Sequence, residues 1–153
     1  MSAIEEAMLA ELARCAGPQA ASPGMGDLLE SEGLPIALAV AVFGRWIVLR
    51  ELPVDQYRLD FAVIGGCVST WRIAVECDGH NYHERTKEQA AHDRRRDRHL
   101  QRHGWHVMRF TGSEIFRDVR GCVAEVLALA ADLQGKSERD LSNWRAMYER
   151  GRE

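Results

Sequence analysis

Apolar residues recur at helical spacing near the beginning of the chain. One helical turn apart, on a single face, lie Ile4, Met8 and Leu12. Ser2, with Glu5 three residues later, forms a capping-box pattern at the start of that face. The pattern predicts a helix over residues 2–15. The Gly- and Pro-rich stretch that follows, residues 17–33, is expected to be a connection with a short helical turn near residues 27–32.

Short apolar runs in the middle of the chain have the composition of β-strands. Each is rich in Val, Ile and aromatic residues, and turn-forming segments separate them. The runs are residues 47–52, 57–64 and 71–76. We expect three successive antiparallel strands, with Gly65-Gly66 as a hairpin turn. The preceding apolar run, residues 34–43, fits either a helix or a further strand.

A long polar stretch without Gly or Pro follows, from residue 84 to residue 103. Its Ala, Gln, Arg and Leu content predicts a helix of about five turns that ends at Gly104. Residues 105–110 form another strand pattern, and a strand, helix, strand passage of this length allows parallel pairing. The order of elements predicts an α/β fold with a central mixed sheet of about four to five strands and helices on both faces.

The carboxy-terminal part again has helical periodicity. After a start at residues 113–116, a helix over residues 119–133 presents one apolar side, formed by Val123, Val126, Leu127 and Ala130. Ser137 is expected to cap a separate last helix, at about residues 137–149. A length of 153 residues suits a single domain over residues 1–153, with its core at about residues 34–133.

The net charge of −3 excludes a uniformly basic nucleic-acid coat protein, but the charge is unevenly distributed. Residues 1–84 carry 5 basic and 12 acidic side chains, residues 85–109 carry 8 and 3, and residues 110–153 carry 7 and 8. All six histidines lie between His80 and His106. Cations and imidazoles concentrated in one segment indicate local binding of an anion.

Cysteine spacing and hydropathy narrow the class of protein further. The four cysteines form no CxxC pair, so neither a disulfide framework nor a zinc knuckle is indicated. The longest apolar run is about half of what a membrane span needs, and the amino terminus is acidic where a secretory signal would be basic. We therefore expect a cytoplasmic protein without a membrane segment.

Three carboxylates lie at the ends of predicted strands. Glu76 and Asp78 share one face of their strand by alternation, and Asp60 comes from the neighbouring strand. Carboxylates on apolar strands are costly to bury unless a cation compensates them, and Mg²⁺ held by one or two carboxylates with phosphate oxygens fits this ligand supply. The alternative is that Asp60 and Glu76 lie at strand edges in water or pair with arginines such as Arg58 and Arg72.

The cationic helix has two kinds of surface. A stripe expected to face the sheet is formed by Ala90, Asp93, Asp97 and Leu100. Lys87, Arg94 and Arg98 lie along one flank, where Lys87 and Arg94 are best placed to neutralise a phosphate. Asp93 and Asp97 could instead pair with these cations.

Other motifs give weaker indications. Zinc-compatible spacing occurs in Cys77 with His80 and His83, and in the i,i+4 pair of His99 and His103, but neither set has a convincing fourth ligand. Trp71 and Trp105 are expected in the core rather than on a base-stacking surface.

The order of these motifs resembles a known family. Its three blocks are Tyr57-Arg58-Leu59-Asp60-Phe61, then Glu76-Cys77-Asp78-Gly79 with His83, then Asp93-x-x-Arg96-Asp97-x-x-Leu100-x-x-x-Gly104-Trp105-x-Val107-x-Arg109-Phe110. Together they resemble the restriction-endonuclease-like domain related to the very-short-patch mismatch-repair endonuclease, within the PD-(D/E)XK nuclease superfamily. The resemblance runs from the first helix to about Leu133 and implies a restriction-endonuclease-like α/β/α sandwich.

The resemblance also implies roles for individual residues. Asp60 and Glu76 match the acidic metal ligands, the main-chain carbonyl of Cys77 matches a further metal contact, and Glu5 on the first helix can approach the metal. Asp78 stands where the superfamily has its catalytic lysine, which is the main departure from the pattern. His83 matches a histidine of the related families and is expected to act as general base or to position the water.

Lys87 is the alternative source of positive charge, and Asp78 is expected to help handle the water. The phosphate would be held by Lys87 with the helix arginines Arg94, Arg96 and Arg98.

The leading hypothesis is a Mg²⁺- or Mn²⁺-dependent endodeoxyribonuclease, a hydrolase that cuts DNA phosphodiester bonds by direct attack of water. The alternative is a catalytically inactive nuclease-like domain that binds nucleic acid, which would show salt-sensitive DNA binding without cleavage. A purely structural or protein-binding domain is a third, more remote reading. Sequence specificity would need loops such as residues 17–33, a second copy of the chain or a partner protein.

Overall fold

A computed structural model describes residues 2–16, 33, 38–43, 46–66, 70–79 and 86–150, with the side chains of residues 42, 43, 141 and 144–150 left aside. Three helices and five strands follow one another in this part of the chain. They are α1 (Ala3–Ala16), β1 (Ala39–Phe43), β2 (Trp46–Val54), β3 (Tyr57–Gly66), β4 (Thr70–Asp78), α2 (Lys87–Arg102), β5 (Trp105–Thr111) and α3 (Gly112–Arg150).

The strands form one mixed sheet in the order β1-β2-β3-β4-β5. The first three pairings are antiparallel, and β4 pairs with β5 in parallel through the α2 crossover. This arrangement confirms the predicted α/β class, the mixed sheet and the three antiparallel strands. The predicted hairpin turn at Gly65-Gly66 is wrong, because both glycines lie inside β3 and pair with Trp71 and Thr70 of β4. The sequence allowed either a helix or a strand at residues 34–43, and residues 39–43 are a strand. Residues 34–37 lie outside the described residues, as do residues 17–32.

Helices cover both faces of the sheet. On one face, α1 and α3 bury a core with the sheet that includes Met8, Leu12, Phe61, Ile73 and Val126. On the other face, a second core contains Leu49, Leu59, Ile64 and Trp105, and α2 contributes Leu100 as its one buried residue. Trp71 and Trp105 are both buried in these cores, as predicted.

Capping side chains define the helix ends. Ser2 and Glu5 form the predicted capping box, in which the Ser2 main-chain N–H donates to Glu5 Oε2 (3.1 Å). Thr86 caps α2 in a box with Gln89, and Gly104, with φ of 79°, follows its C-cap. Glycine adopts this left-handed conformation without the steric cost that a Cβ would add, which explains why α2 ends where the sequence predicts.

The expected break at Ser137 is wrong. Helix α3 continues through Ser137, which is buried together with Gln134, and Gln134 accepts a hydrogen bond from Trp71 Nε1 (3.2 Å). Packing of this polar helix face on the sheet keeps the helix intact. The irregularity in α3 lies instead at Asp118, which has non-helical φ and ψ and accepts a hydrogen bond from the Gly121 main-chain N–H (2.9 Å).

Among the described helices, none combines the length and the apolar character that a membrane crossing requires.

Candidate nuclease site

The site begins where two neighbouring strands separate. The pairing of β3 with β4 ends at Phe61 opposite Val75, although both strands continue, β3 beside β2 and β4 beside β5. We call the gap beyond this last pair the fork. Asp60 and Glu76 are the next residues on its two sides, so the end of one strand pairing brings two acidic positions together.

Asp60 takes the place of a missing ladder contact. Its Oδ2 accepts a hydrogen bond from the main-chain N–H of Cys77 (2.7 Å), a donor that a carbonyl of β3 would satisfy in a continued antiparallel ladder. Burial raises the pKa of Asp60, the hydrogen bond from Cys77 acts against this, and the negative charge of Glu5 adds to it. The hydrogen bond therefore fixes the position of the carboxylate, while burial makes its ionised form less favourable than in water.

Regular alternation along β3 stops at Asp60. Leu59 packs in the core under α2, whereas Phe61, two residues later, packs in the core under α1 and α3. On the adjacent strand, Glu51 has a positive φ of 47° between the pairs Arg50–Phe61 and Leu52–Leu59. The distortion lies in both strands at the level of the fork, while their pairing register is the same on either side of it.

Glu76 is the most deeply buried carboxylate at the fork, with 3% of its surface exposed. Arg96 Nη2 donates to Glu76 Oε1 (2.6 Å) and to the main-chain carbonyl of Arg58 (2.7 Å). Burial raises the pKa of Glu76 to about 7, the positive charge of Arg96 opposes the shift, and the charge of Asp60 reinforces it. Burial outweighs the ion pair, so the ionised carboxylate is incompletely compensated.

Asp78 forms an ion pair with an arginine of β5. Arg109 Nη1 lies 3.3 Å from Asp78 Oδ1, while Arg109 Nη2 and Nε bind the two carboxylate oxygens of Asp97 at 2.5 and 3.3 Å. The alternative that Asp97 pairs with cations of its own helix is wrong, because β5 supplies its partner. Glu76 pairs in register with Arg109 and binds Arg96, rather than Arg58 or Arg72.

Cys77 and Glu5 approach the fork from the other face of the sheet. The Cys77 thiol is buried in the core under α1 and α3, and burial, with the charges of Asp60 and Glu5, raises its pKa. Glu5 is bound in its own capping box with Ser2 but still acts electrostatically on Asp60. The Glu5 carboxylate therefore contributes negative potential at the fork.

The basic residues of α2 divide between two sides of the helix. Lys87, Arg94 and Arg98 are exposed, in agreement with the predicted flank. Arg96, which the sequence groups with them as a phosphate ligand, faces the sheet and binds Glu76. Its buried Nε has no hydrogen-bond partner among the described residues. His83, the predicted base, lies outside the described residues, as does His80.

The predicted carboxylates do not all converge. Within the described part of the chain, the ligand atoms of Glu5, Asp60, Glu76 and Asp78 do not form a group of three within 4.8 Å, and Asp60 with Glu76 is the pair at the fork. A different group satisfies that distance, formed by Asp55, His99 and His103. Sequence reasoning missed Asp55 and Arg109, although Arg109 belongs to the motif that carries the family resemblance.

Comparison with known proteins gives one family match. The sequence model of the REase_MTES_1575 family matches residues 43–129, which include β2 to β5, α2 and the first part of α3. A search of curated proteins and a search of solved structures find no match. The matched segment is more than half of the chain and contains the fork, Arg96 and Arg109. The chain therefore belongs to the REase_MTES_1575 family and has a restriction-endonuclease-like fold.

Proposed function

We propose that this protein is a metal-dependent endodeoxyribonuclease that hydrolyses phosphodiester bonds, with Asp60 and Glu76 as its metal ligands. One observation carries the proposal. Asp60 and Glu76 lie on facing strands at the fork, where the charge of Asp60 acts on Glu76, and burial raises the pKa of each, so the ionised form of each is costly in the protein without a cation. A bound divalent cation would relieve that cost.

The donor atoms at the fork fit a hard cation. Asp60 uses Oδ2 for the Cys77 N–H, and Glu76 uses Oε1 for Arg96, so each keeps a second carboxylate oxygen without a hydrogen bond to another described residue. Two carboxylate oxygens, completed by water and substrate phosphate, match the usual surroundings of Mg²⁺, and Mn²⁺ accepts the same ligands. We expect the main-chain carbonyl of Cys77 to be a further ligand.

Residues of the chain would then have separate catalytic roles. The metal ion supplies activation of the attacking water and polarisation of the scissile phosphate. Arg96 holds the Glu76 carboxylate in a fixed orientation through a contact of 2.6 Å. We propose that His83 orients or deprotonates the water, as the family resemblance implies.

The substrate backbone would run along the exposed flank of α2. Helix α2 connects parallel strands and so begins at the carboxyl end of β4, where the fork lies. Lys87 is nine residues before Arg96, or about 13 Å along the helix axis, so the flank extends outward from the fork. Lys87, Arg94 and Arg98 are placed to neutralise successive phosphates.

A second candidate function is DNA binding without cleavage. Its support is the ion pair between Asp78 and Arg109, because the position that carries a free ammonium group in the superfamily carries a neutralised carboxylate here. Positive charge at the reacting phosphate would then depend on Lys87 and Arg96 alone. The two candidates differ in whether metal ions produce strand breaks.

A plasmid-nicking assay separates these candidates. With Mg²⁺ or Mn²⁺, the unmodified protein should convert supercoiled plasmid to nicked or linear DNA, and Asp60→Asn and Glu76→Gln should each lower the rate by at least about a thousandfold. Asp132→Asn, which removes an exposed carboxylate of α3, is the matched control and should cut normally. Equal cutting by all variants would refute the metal assignment. Salt-sensitive DNA binding with no cutting by the unmodified protein would favour the second candidate.

A further inference from the structure

We propose that Asp55, His99 and His103 form a second metal site, specific for a borderline transition-metal ion such as Zn²⁺ and separate from the fork. One ligand atom from each of these residues lies within 4.8 Å of the other two. The set combines two imidazoles with one carboxylate and is exposed enough to keep a position for water. Such a donor set suits Zn²⁺ better than Mg²⁺, which prefers oxygen ligands.

The hydrogen bonds around His103 prepare it to act as a ligand. Its Nδ1 lies 2.8 Å from the main-chain carbonyl oxygen of His99. A carbonyl oxygen only accepts, so Nδ1 carries the hydrogen and, in the neutral ring, Nε2 carries the free lone pair. A histidine that donates one ring N–H to a carbonyl and binds metal through the other nitrogen is the usual arrangement in metal proteins.

His99 and Asp55 already have the contact that a metal ion would replace. His99 Nε2 lies 2.8 Å from Asp55 Oδ2, so the two groups share one hydrogen between a nitrogen and a carboxylate oxygen. Metal binding through Nε2 would move that hydrogen to Nδ1 of a neutral ring, or release it to solvent from a protonated ring, and would leave both atoms as ligands. The rings of His99 and His103 are 4.4 Å apart, and Tyr57 packs edge-on against His99 at 5.3 Å, which limits the orientation of the His99 ring.

The site joins two elements that apolar packing holds together only weakly. Asp55 is in the turn between β2 and β3, and the two histidines are at the carboxyl end of α2, where the helix dipole favours a cation. Among the described residues of α2 only Leu100 is fully buried, and polar contacts of Arg96, Asp97 and His99 also attach the helix. Metal binding would therefore fasten α2, and with it Arg96, to the sheet.

Binding of Zn²⁺ alone to the full chain tests the site independently of any nuclease activity. Titration calorimetry is carried out in an Asp60→Asn, Glu76→Gln background, which removes the carboxylates of the fork. In that background we expect one Zn²⁺ per chain that is lost, or weakened at least about tenfold, by His103→Gln and separately by Asp55→Asn. His106→Gln, which changes an exposed histidine of β5, is the matched control and should bind as the background does.

A second measurement guards against variants that lose their fold. Circular dichroism should be the same for all variants without metal, because Asp55 and His103 are exposed. Saturating Zn²⁺ should raise the melting temperature of the background protein and of His106→Gln, but not that of His103→Gln. Undiminished Zn²⁺ affinity in His103→Gln and Asp55→Asn, or no Zn²⁺ binding to the background protein, would overturn the proposal.

Discussion

Glu76 illustrates how a single residue can be costly for the fold and suited to function. It lies within a buried stretch of β4, and its pair with Arg96 does not fully offset the loss of hydration. Alternation along the strand was enough to predict that Glu76 and Asp78 share a face. Their different partners, Arg96 on α2 and Arg109 on β5, come from segments 20 and 31 residues away, so local sequence could not indicate them.

The raised pKa of Glu76 predicts a pH dependence of stability without metal. Burial raises this pKa from 4.5 to about 7, so between these values the folded state keeps a proton that the unfolded state has lost. The free energy of unfolding should therefore fall as pH rises through this window, by roughly 3 kcal/mol for this group. Urea denaturation at several pH values, compared with Glu76→Gln, measures the contribution.

In that comparison, the difference between the two proteins isolates Glu76 from the other ionisable groups, which both proteins share. Adding Mg²⁺ at pH 8 should restore stability to the unmodified protein but not to Glu76→Gln. Parallel pH profiles for the two proteins would show that Glu76 does not cause this loss of stability.

At the scale of elements, the sequence predicted where helices end better than whether one helix continues through a given residue. Caps at Ser2 and Gly104 act locally, through hydrogen bonds and backbone conformation, and both were identified correctly. Ser137 has the residue type of a cap, but its burial with Gln134 against the sheet keeps α3 continuous. Whether a serine begins a helix or lies inside one depends on packing that one segment does not contain.

Gly135, inside α3, and Gly104, just after α2, should respond in opposite ways to substitution by alanine. Gly135 lies inside α3, and a Cβ there would meet only Arg139 Nη1, at 3.5 Å, so Gly135→Ala should stabilise the protein by about 0.5–1 kcal/mol. Gly104 has φ of 79° after α2, so Gly104→Ala should destabilise it by about 1–2 kcal/mol. Denaturation midpoints of the two variants provide the test, and shifts of the same sign would contradict the backbone argument.

At the scale of the whole molecule, the acidic and the basic segments of the sequence place their charges in different regions. Acidic residues from the first half of the chain, including Asp60, Glu76 and Glu5, surround the fork. The described cations of residues 85–109 form two groups: Arg96 and Arg109 compensate acids at the sheet, and the exposed ones are Lys87, Arg94, Arg95, Arg98 and Arg102. Only the second group is free to attract DNA over a distance.

The exposed cations predict the salt dependence of DNA binding. Lys87→Gln with Arg94→Gln should weaken binding to a short duplex and reduce the slope of log affinity against log salt by about 2, because two fewer counterions are released. Fluorescence anisotropy at several salt concentrations measures the slope. Lys136→Gln with Arg139→Gln removes two exposed cations of α3 and should leave it unchanged. An equal effect of both pairs would place the DNA elsewhere than on the flank of α2.

The sequence by itself determined four of the five strands, most of the helix ends, the two acidic positions of the fork and the exposed flank of α2. These features follow from periodicity, caps and composition, which act over a few residues. Only the tertiary structure decided which charges meet: that Arg96 turns toward Glu76, that Arg109 binds Asp97 and Asp78, and that Asp55 reaches His99. These contacts join residues on different elements, and they form only because the sheet pairing and helix packing bring those elements together.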